Sequence, residues 1–248
     1  GPMRYADIGR HAPLFKGYTE LRVQENSSRS VNLLNGDVIG NSSGSQAGIS
    51  ARAYSHGAWG FASTPESDEQ AIAYCVRRAA GNAQNLGTKA KKKHYQFSAR
   101  PAQAEHDLGT QSPMPDQKTI IDFARNLDAY CAQKFPKLLS RAINLACADS
   151  EKTLLSSDGS QSYSLTPRSV LYVSFTMEHD GQPIDLYSIA GGGKRFGQLF
   201  SKPEDLYGRM DELYEKLCKK AEGVYARAGT HEVVLGSDLA GILAHEAI

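Results

Sequence analysis

The sequence predicts an α+β protein, in which mainly antiparallel strand meanders pack against helices. Turn pairs typical of tight hairpins lie at Asn35-Gly36, Asp158-Gly159 and Asp180-Gly181, each next to residues of alternating polarity. Helical periodicity is confined to separate segments that do not alternate with single strands. Hairpins segregated from helices indicate antiparallel sheet rather than a parallel α/β fold.

The first half is expected to begin with a short helix, which leads into a meander of short strands over residues 18–64. A helix follows the meander. Ser67 with Gln70 three residues later matches a capping box, and apolar residues recur at helical spacing as far as Gly87. Over residues 88–117 the periodicity disappears, and turn-forming residues with a run of lysines predict an exposed connection.

The second half repeats this order of elements. A helix is expected to begin after Asp116 and to end before Pro136, and a long helix follows Pro203 with apolar residues at helical steps up to Val224. The strands predicted between these helices are 142–148, 153–155, 170–177 and 184–189. Two halves of a meander plus a helix suggest a degenerate two-fold repeat, although no residue period matches between them.

Composition narrows the classes of partner. The 248 residues include 28 Lys and Arg against 27 Asp and Glu, so no global charge favours nucleic acid or anionic lipid. No motif indicates DNA contact, no apolar run is long enough to span a bilayer, and the start lacks the features of a signal peptide. We therefore expect a cytoplasmic protein without nucleic-acid or membrane partners, whose four scattered cysteines stay reduced.

The pair His245-Glu246 is the strongest candidate for chemistry, because an imidazole can bind a metal and an adjacent carboxylate can act as a base. Residues 231–235 are predicted to form a short apolar strand, and Ser237 is placed to cap the helix that carries the pair. That helix is expected to direct three apolar residues towards a core: Leu239, Ile242 and Leu243.

The pair by itself does not define a metal site. A second His-Glu pair occurs at His231-Glu232, and short motifs are often fortuitous. A zinc site needs at least three protein ligands, and the HExxH motif would require a histidine four residues after His245. A metal role and a chance occurrence therefore both remain open from the pair alone.

Three other features have plain structural explanations. Residues 191–194, Gly-Gly-Gly-Lys, lack the flanking residues of a phosphate loop and are interpreted as a flexible turn after a strand, with contact to an extended ligand as the alternative. The cluster Glu105-His106-Asp107 lies in the predicted connection, where polar residues are ordinary. Trp59, the only tryptophan, is interpreted as a core residue, with a place in a peptide groove as the alternative.

Two segments resemble the TldD/PmbA family of metallopeptidases. The first runs from Tyr18-Thr19-Glu20-Leu21-Arg22 to the sequence Gly-Ala-Trp-Gly-Phe-Ala-Ser-Thr at residues 57–64, and the second covers residues 233–248. The resemblance implies an amino-terminal α+β domain over residues 3–230. It also implies that residues 231–248 form a strand and the start of a helix bearing the motif HExxxH, leading to a carboxyl-terminal domain absent from this chain.

The resemblance further implies roles for the terminal pair. His245 corresponds to a zinc ligand and Glu246 to the general base, and this pair is typical of the catalytic TldD-type subunit. We therefore expect the intact protein to be a zinc-dependent peptidase acting on unfolded or flexible peptides, with a PmbA-type paralogue or a second copy as dimer partner. This chain, without the second histidine, is expected to bind no zinc and to be inactive. The alternative is a non-catalytic module for subunit pairing or peptide binding.

Overall fold

The computed structural model describes residues 8–90, 93–109 and 112–247. Within these ranges, seven strands form a single sheet. The strands are β1 (Tyr18–Leu34), β2 (Asp37–Ser55), β3 (Ala58–Thr64), β4 (Gln103–Asp107), β5 (Ser140–Ser156), β6 (Gln161–His179) and β7 (Gln182–Gly192). The helices are α1 (Glu69–Ala90), α2 (Gln117–Lys134), α3 (Phe196–Leu199), α4 (Tyr207–Ala221) and α5 (Ser237–Ala247), with 3-10 helices at Gly9–Leu14 and Pro203–Leu206.

The strand order confirms the α+β class and the mainly antiparallel sheet. It runs β3-β2-β1-β5-β6-β4, and β7 also pairs with β6. All pairs are antiparallel except β4 with β6. Ser27 faces Asp149 near the centre of the β1–β5 pair, and the hairpins β1–β2 and β5–β6 extend outwards on either side of it. This arrangement agrees with the predicted two-fold repeat.

The predicted connection over residues 88–117 is only partly correct. Helix α1 continues to Ala90, and β4 adds to β6 as a parallel edge strand. The sequence of β4, Gln-Ala-Glu-His-Asp, has no apolar face, and its residues are exposed or half-buried. The pairing thus depends on the backbone, which side-chain periodicity does not reveal.

The strands are also longer than their apolar patterns predicted. Strand β5 continues through residues 149–152, where the apolar pattern predicted a break between two strands. Helices cover one face of the sheet in two places, and between these places the strands carry polar residues on both faces. The alternation of apolar and polar residues is therefore interrupted there, although the backbone pairing of β1 with β5 is continuous from Glu20 to Leu34.

Two cores lie on the same face of the sheet. On β1, Leu21 and Val23 are buried in the first core and Val31 and Leu33 in the second, all at odd positions and thus on one face. The first core is completed by α1, and the second by residues of α2, α3 and α4. We call the opposite face of the sheet the open face. Among the described residues, no helix packs against a row of buried side chains on that face.

Helix α1 packs very closely on β3. A Cβ atom added to Gly60 would lie 2.1 Å from the carbonyl oxygen of Ala79, so only glycine permits this approach. The predicted capping box is wrong, because Asp68 Oδ1 accepts a hydrogen bond from the Ala71 amide at 2.8 Å. An aspartate cap is at least as favourable as a serine cap, which explains why the helix begins one residue later.

Helix α2 begins as predicted, since Asp116 Oδ1 accepts a hydrogen bond from the Thr119 amide at 2.7 Å. Helix α4 is shorter than predicted, ending at Ala221, with Val224 outside it and fully in solvent. The Gly223 amide donates to Lys220 O, a bond that closes the last turn. The apolar spacing predicted a longer helix because it does not take account of Gly223, a residue type that commonly ends helices.

The carboxyl-terminal segment differs from its prediction. Residues 231–235 form no strand, and Val234 is 99% exposed. Gly236, not Ser237, occupies the cap position, because its carbonyl oxygen accepts a hydrogen bond from the Ala240 amide at 2.9 Å. No described residue of α5 is buried, so the expected direction of Leu239, Ile242 and Leu243 towards a core is wrong. Apolar character predicted burial, but the described residues provide no surface that covers this helix.

The four cysteines are free thiols, and three of them, Cys75, Cys131 and Cys147, are buried. Burial raises the pKa of Cys131 to about 12, so this thiol is inert at neutral pH. None of the described helices combines the length and apolarity needed to cross a bilayer.

Candidate functional site

His245 and Glu246 lie in the last turn of α5 and are exposed to solvent. Adjacent positions on a helix point about 100° apart, so both side chains can face one volume outside the helix. Across the described ranges, no group of three or more His, Cys, Asp and Glu residues is arranged to hold a metal ion. A single imidazole does not satisfy zinc, so the residues described here supply one ligand and a base but not a complete zinc site. Their roles remain predictions.

The weaker sequence candidates have structural roles. Gly191, one residue before the end of β7, has a positive φ of 145°, and a Cβ there would lie 2.1 Å from the Ser169 carbonyl oxygen. Close backbone approach therefore requires glycine at position 191. The predicted turn after a strand is only partly correct, because Gly191 and Gly192 belong to β7 and only Gly193 and Lys194 follow it. His106 lies on β4 between Glu105 and Asp107, so its side chain projects from the other face of the strand.

Trp59 is not a core residue, and its interpretation as one is wrong. Strand β3 alternates, with Ala58, Gly60 and Ala62 buried beneath α1, whereas Trp59 is 41% exposed and Phe61 is more exposed still. Small residues occupy the inner positions because α1 approaches too closely for large ones. The two aromatic rings consequently lie on the open face.

Trp59 belongs to an aromatic cluster, defined here as Tyr18, Tyr54, Trp59 and Phe97. The centroid of the Phe97 ring lies 4.9 Å from the ring centroid of Tyr54, 5.0 Å from that of Tyr18 and 5.6 Å from that of Trp59. Three of the rings come from β1, β2 and β3, whereas Phe97 comes from the connection after α1. Of this set, only Trp59 is evident as a candidate from the sequence. The aromatic residues of the otherwise polar segment His94-Tyr95-Gln96-Phe97 were the signal that could have revealed the rest.

Charged residues border the aromatic cluster. The Arg52 guanidinium lies 4.8 Å from the centroid of the Trp59 ring, a cation–π arrangement. Arg52 also donates two hydrogen bonds to the Glu20 carboxylate, one of them from Nη2 at 3.1 Å. The Tyr18 hydroxyl donates to Glu20 Oε1 at 2.9 Å. Burial, followed by this hydrogen bond, raises the pKa of Tyr18 to about 12.

Two shallow depressions continue from this border along the open face. One of about 320 Å³ is lined by residues that include Glu20, Arg52 and Phe61. The other, of about 390 Å³, adjoins it through the shared residues Arg22 and Ser50. The open face therefore offers an aromatic anchor beside a polar groove, a combination typical of sites that bind extended chains.

The Glu20 carboxylate gives a pH-dependent contribution to stability. Burial opposes its ionisation, but hydrogen bonds from Arg52 and Tyr18 outweigh it and lower the pKa of Glu20 below its ordinary value of 4.5. A lowered folded pKa means that this stabilisation is fully present above pH 4.5 and is lost as the pH falls through the folded pKa. We expect Glu20→Gln to lower the thermal unfolding temperature at pH 7 and to have a smaller effect at pH 3. Equal effects at both pH values, measured by circular dichroism, would contradict this assignment.

Comparison with known families identifies the first part of the chain. Residues 19–83 match the family model described as PmbA/TldA metallopeptidase domain 1. This segment extends from β1 into α1 and includes two residues of the aromatic cluster, Tyr54 and Trp59. The first part of the chain is therefore similar to a first domain of the PmbA/TldD family. A comparison with curated proteins gives no match.

Solved structures share the fold of this chain. A proposed modulator of DNA gyrase from Bacteroides thetaiotaomicron is 15% identical, with a TM-score of 0.65 over 85% of this chain and 48% of its own. Another from Thermotoga maritima is 15% identical, with a TM-score of 0.63 over 84% of this chain and 45% of its own. TldE from Thermococcus kodakarensis is 13% identical, with a TM-score of 0.56 over 88% of this chain and 47% of its own. The chain thus spans about half the length of the solved structures that it matches.

Proposed function

We propose that this chain is the amino-terminal part of a zinc-dependent peptidase of the PmbA/TldD family that acts on unfolded or flexible peptides. The match of residues 19–83 to a metallopeptidase family model carries the proposal. The shared fold supports it, as do the chemical types of His245 and Glu246 on the exposed helix α5. The remaining ligands and the partner, a PmbA-type paralogue or a second copy, would come from outside these 248 residues.

The roles proposed for the two residues follow from their chemistry. Zinc, when bound, polarises a peptide carbonyl and makes water a stronger nucleophile near neutral pH. His245 would hold the ion through one imidazole nitrogen. Glu246, one position along the helix, would accept the proton from the attacking water and later return it to the leaving amine. The solvent exposure of both side chains leaves room for a substrate and for further ligands.

The full-length protein provides the test. We expect elemental analysis after dialysis to find about one zinc ion per catalytic subunit, and mass spectrometry to detect cleavage of an unfolded peptide that a chelator abolishes. The 248-residue chain is expected to retain no stoichiometric zinc under the same conditions. A full-length protein, combined with its paralogue, that cleaves peptides equally well after zinc removal would contradict the proposal.

A second candidate is a peptide-binding or subunit-pairing module without chemistry of its own. The exposed rings of Trp59 and Phe61 on the open face favour it, because apolar rings beside a polar groove are typical of recognition surfaces. This candidate is compatible with the first, since a peptidase for flexible chains must also capture them.

A further inference from the structure

The segment of residues 93–100, which we call the strap, lies across the open face after α1. All of its residues are exposed, including Tyr95, although the chain passes directly over the ends of β1, β2 and β3. Its described contacts with the sheet include the ring of Phe97, the stacking of His94 on Tyr54 and one hydrogen bond from the Tyr95 amide to the Tyr54 hydroxyl at 3.1 Å. Segments with so few buried contacts open at low free energy.

The surface beneath the strap has the properties of a pocket for one aromatic ring. Tyr54 is only 5% exposed although it projects from the open face, and its ring contacts both His94 and Phe97 of the strap. Phe97 itself remains 45% exposed, so it covers the other rings and is not enclosed by them. Its centroid distances of 4.9 to 5.6 Å lie in the range in which aromatic pairs attract one another.

The strap makes two contacts that any aromatic peptide could reproduce. One is the aromatic ring at position 97, and the other is a backbone amide two residues earlier, at position 95, which donates to the Tyr54 hydroxyl. Neither contact requires a particular side chain elsewhere in the segment. The adjoining depression, with Glu20 and Arg52 at its border, extends the surface for the polar residues that flank such a ring.

We propose that Tyr18, Tyr54 and Trp59 form a binding site for an aromatic side chain of a flexible peptide, which Phe97 of the strap occupies as an internal competitor. The inference rests on the proposed function only for the class of ligand, a flexible peptide, and requires neither zinc nor cleavage. Peptide binding then displaces the strap. The apparent affinity for the peptide then equals the intrinsic affinity of the open site multiplied by the fraction of molecules in which the strap is open.

Fluorescence of Trp59 reports directly on this site, because it is the only tryptophan in the chain. The probe is a Gly-Ser peptide with one central phenylalanine, compared with the same peptide carrying alanine, and both titrations contain a chelator. In Phe97→Ala we expect the phenylalanine peptide to change Trp59 emission. We also expect this variant to bind the peptide about tenfold more tightly than the wild type does, which is the gain expected if the strap closes the wild-type site about nine-tenths of the time. Equal responses to the two peptides would overturn the proposal.

Two further variants separate recognition from general loosening of the strap. Tyr95→Ala removes an exposed ring from the same segment but outside the aromatic cluster, and it should leave peptide affinity at the wild-type value. Tyr54→Phe, made in the Phe97→Ala background, keeps the ring but removes the hydroxyl, and it should weaken binding severalfold. If Tyr95→Ala raises affinity as much as Phe97→Ala does, the ring of Phe97 is not the competitor and the proposal fails.

A measurement on the wild type covers the case in which Phe97→Ala does not fold. Displacement releases the backbone of residues 93–100 from the sheet and makes the bond after Lys93 easier for trypsin to cleave, whereas the bond after Arg100 precedes Pro101 and resists trypsin. Saturating phenylalanine peptide should accelerate cleavage within the strap severalfold, whereas the alanine peptide should not. Identical cleavage rates with the two peptides would overturn the proposal. Loss of peptidase activity in the full-length protein would contradict only the proposed function, because neither binding experiment depends on it.

Discussion

Replacing Glu246 by glutamine in the full-length protein is expected to lower the rate of peptide cleavage by about 10² to 10⁴, the usual contribution of a general base. The amide keeps the size of the carboxylate but cannot accept the proton from water. Zinc content should be unchanged in this variant, because Glu246 is proposed as a base and not as a ligand. His245→Ala should instead lower both zinc content and activity. Steady-state cleavage and elemental analysis of the two variants separate these roles.

The chain contains a matched control for this experiment. His231-Glu232 is the same dipeptide, also exposed, but His231 Nε2 lies within hydrogen-bond distance, 2.9 Å, of the Arg227 carbonyl oxygen. We expect Glu232→Gln to keep full activity and full zinc content. If both glutamine variants retain activity, or if both lose it, the assignment of Glu246 as the base is wrong.

Replacing Asp128 by alanine is expected to lower the free energy of unfolding by about 3–5 kcal/mol, because it leaves a buried charge without its partner. Asp128 on α2 is 4% exposed, and its Oδ1 accepts a hydrogen bond from Arg141 Nε at 2.9 Å. In the β1–β2 turn, the Asn35 amide donates to the Arg141 carbonyl oxygen and the Arg141 amide donates to Asn35 Oδ1. The ion pair thus joins α2, β5 and the first hairpin. Urea denaturation of the wild type and the variant measures the difference.

A control on the same helix distinguishes burial from charge. Asp122 forms an exposed pair with Lys118 one turn away, and solvent screening leaves such pairs with little effect on stability. We therefore expect Asp122→Ala to have little effect. The double variant Asp128→Ala with Arg141→Ala should recover part of the lost stability, since it removes the unpaired guanidinium as well. Equal destabilisation by Asp122→Ala and Asp128→Ala would refute this account.

The elements that the sequence predicted best are those whose signals are local. Asn35-Gly36, Asp158-Gly159 and Asp180-Gly181 all form turns between paired antiparallel strands, because the three glycines, and also Asn35 and Asp180, adopt the positive φ that the turns need. Asp116 caps α2 through its own side chain, three residues from the amide it accepts. Interactions over two to four residues are fully contained in the sequence, so their outcome does not depend on the rest of the molecule.

The candidate sites also have some features that the sequence reveals and others that only the tertiary structure reveals. The chemical types of His245 and Glu246 are evident in the sequence, and so is the helix that carries them, but the exposure of that helix is not. The aromatic cluster was missed because its rings come from residues 18, 54, 59 and 97, which are far apart in the chain. Only strand pairing and the course of the strap bring them together.

The sequence by itself determined the fold class, the hairpin turns, the cap of α2 and the resemblance that makes His245 and Glu246 candidates for a zinc ligand and a base. The tertiary structure alone decided that both cores lie on one face of the sheet, that α1 excludes large side chains from the inner side of β3, and that Trp59 consequently lies outside. The physical reason is that alternation places residues on two faces but does not indicate which face a helix will cover. That choice depends on contacts between distant segments.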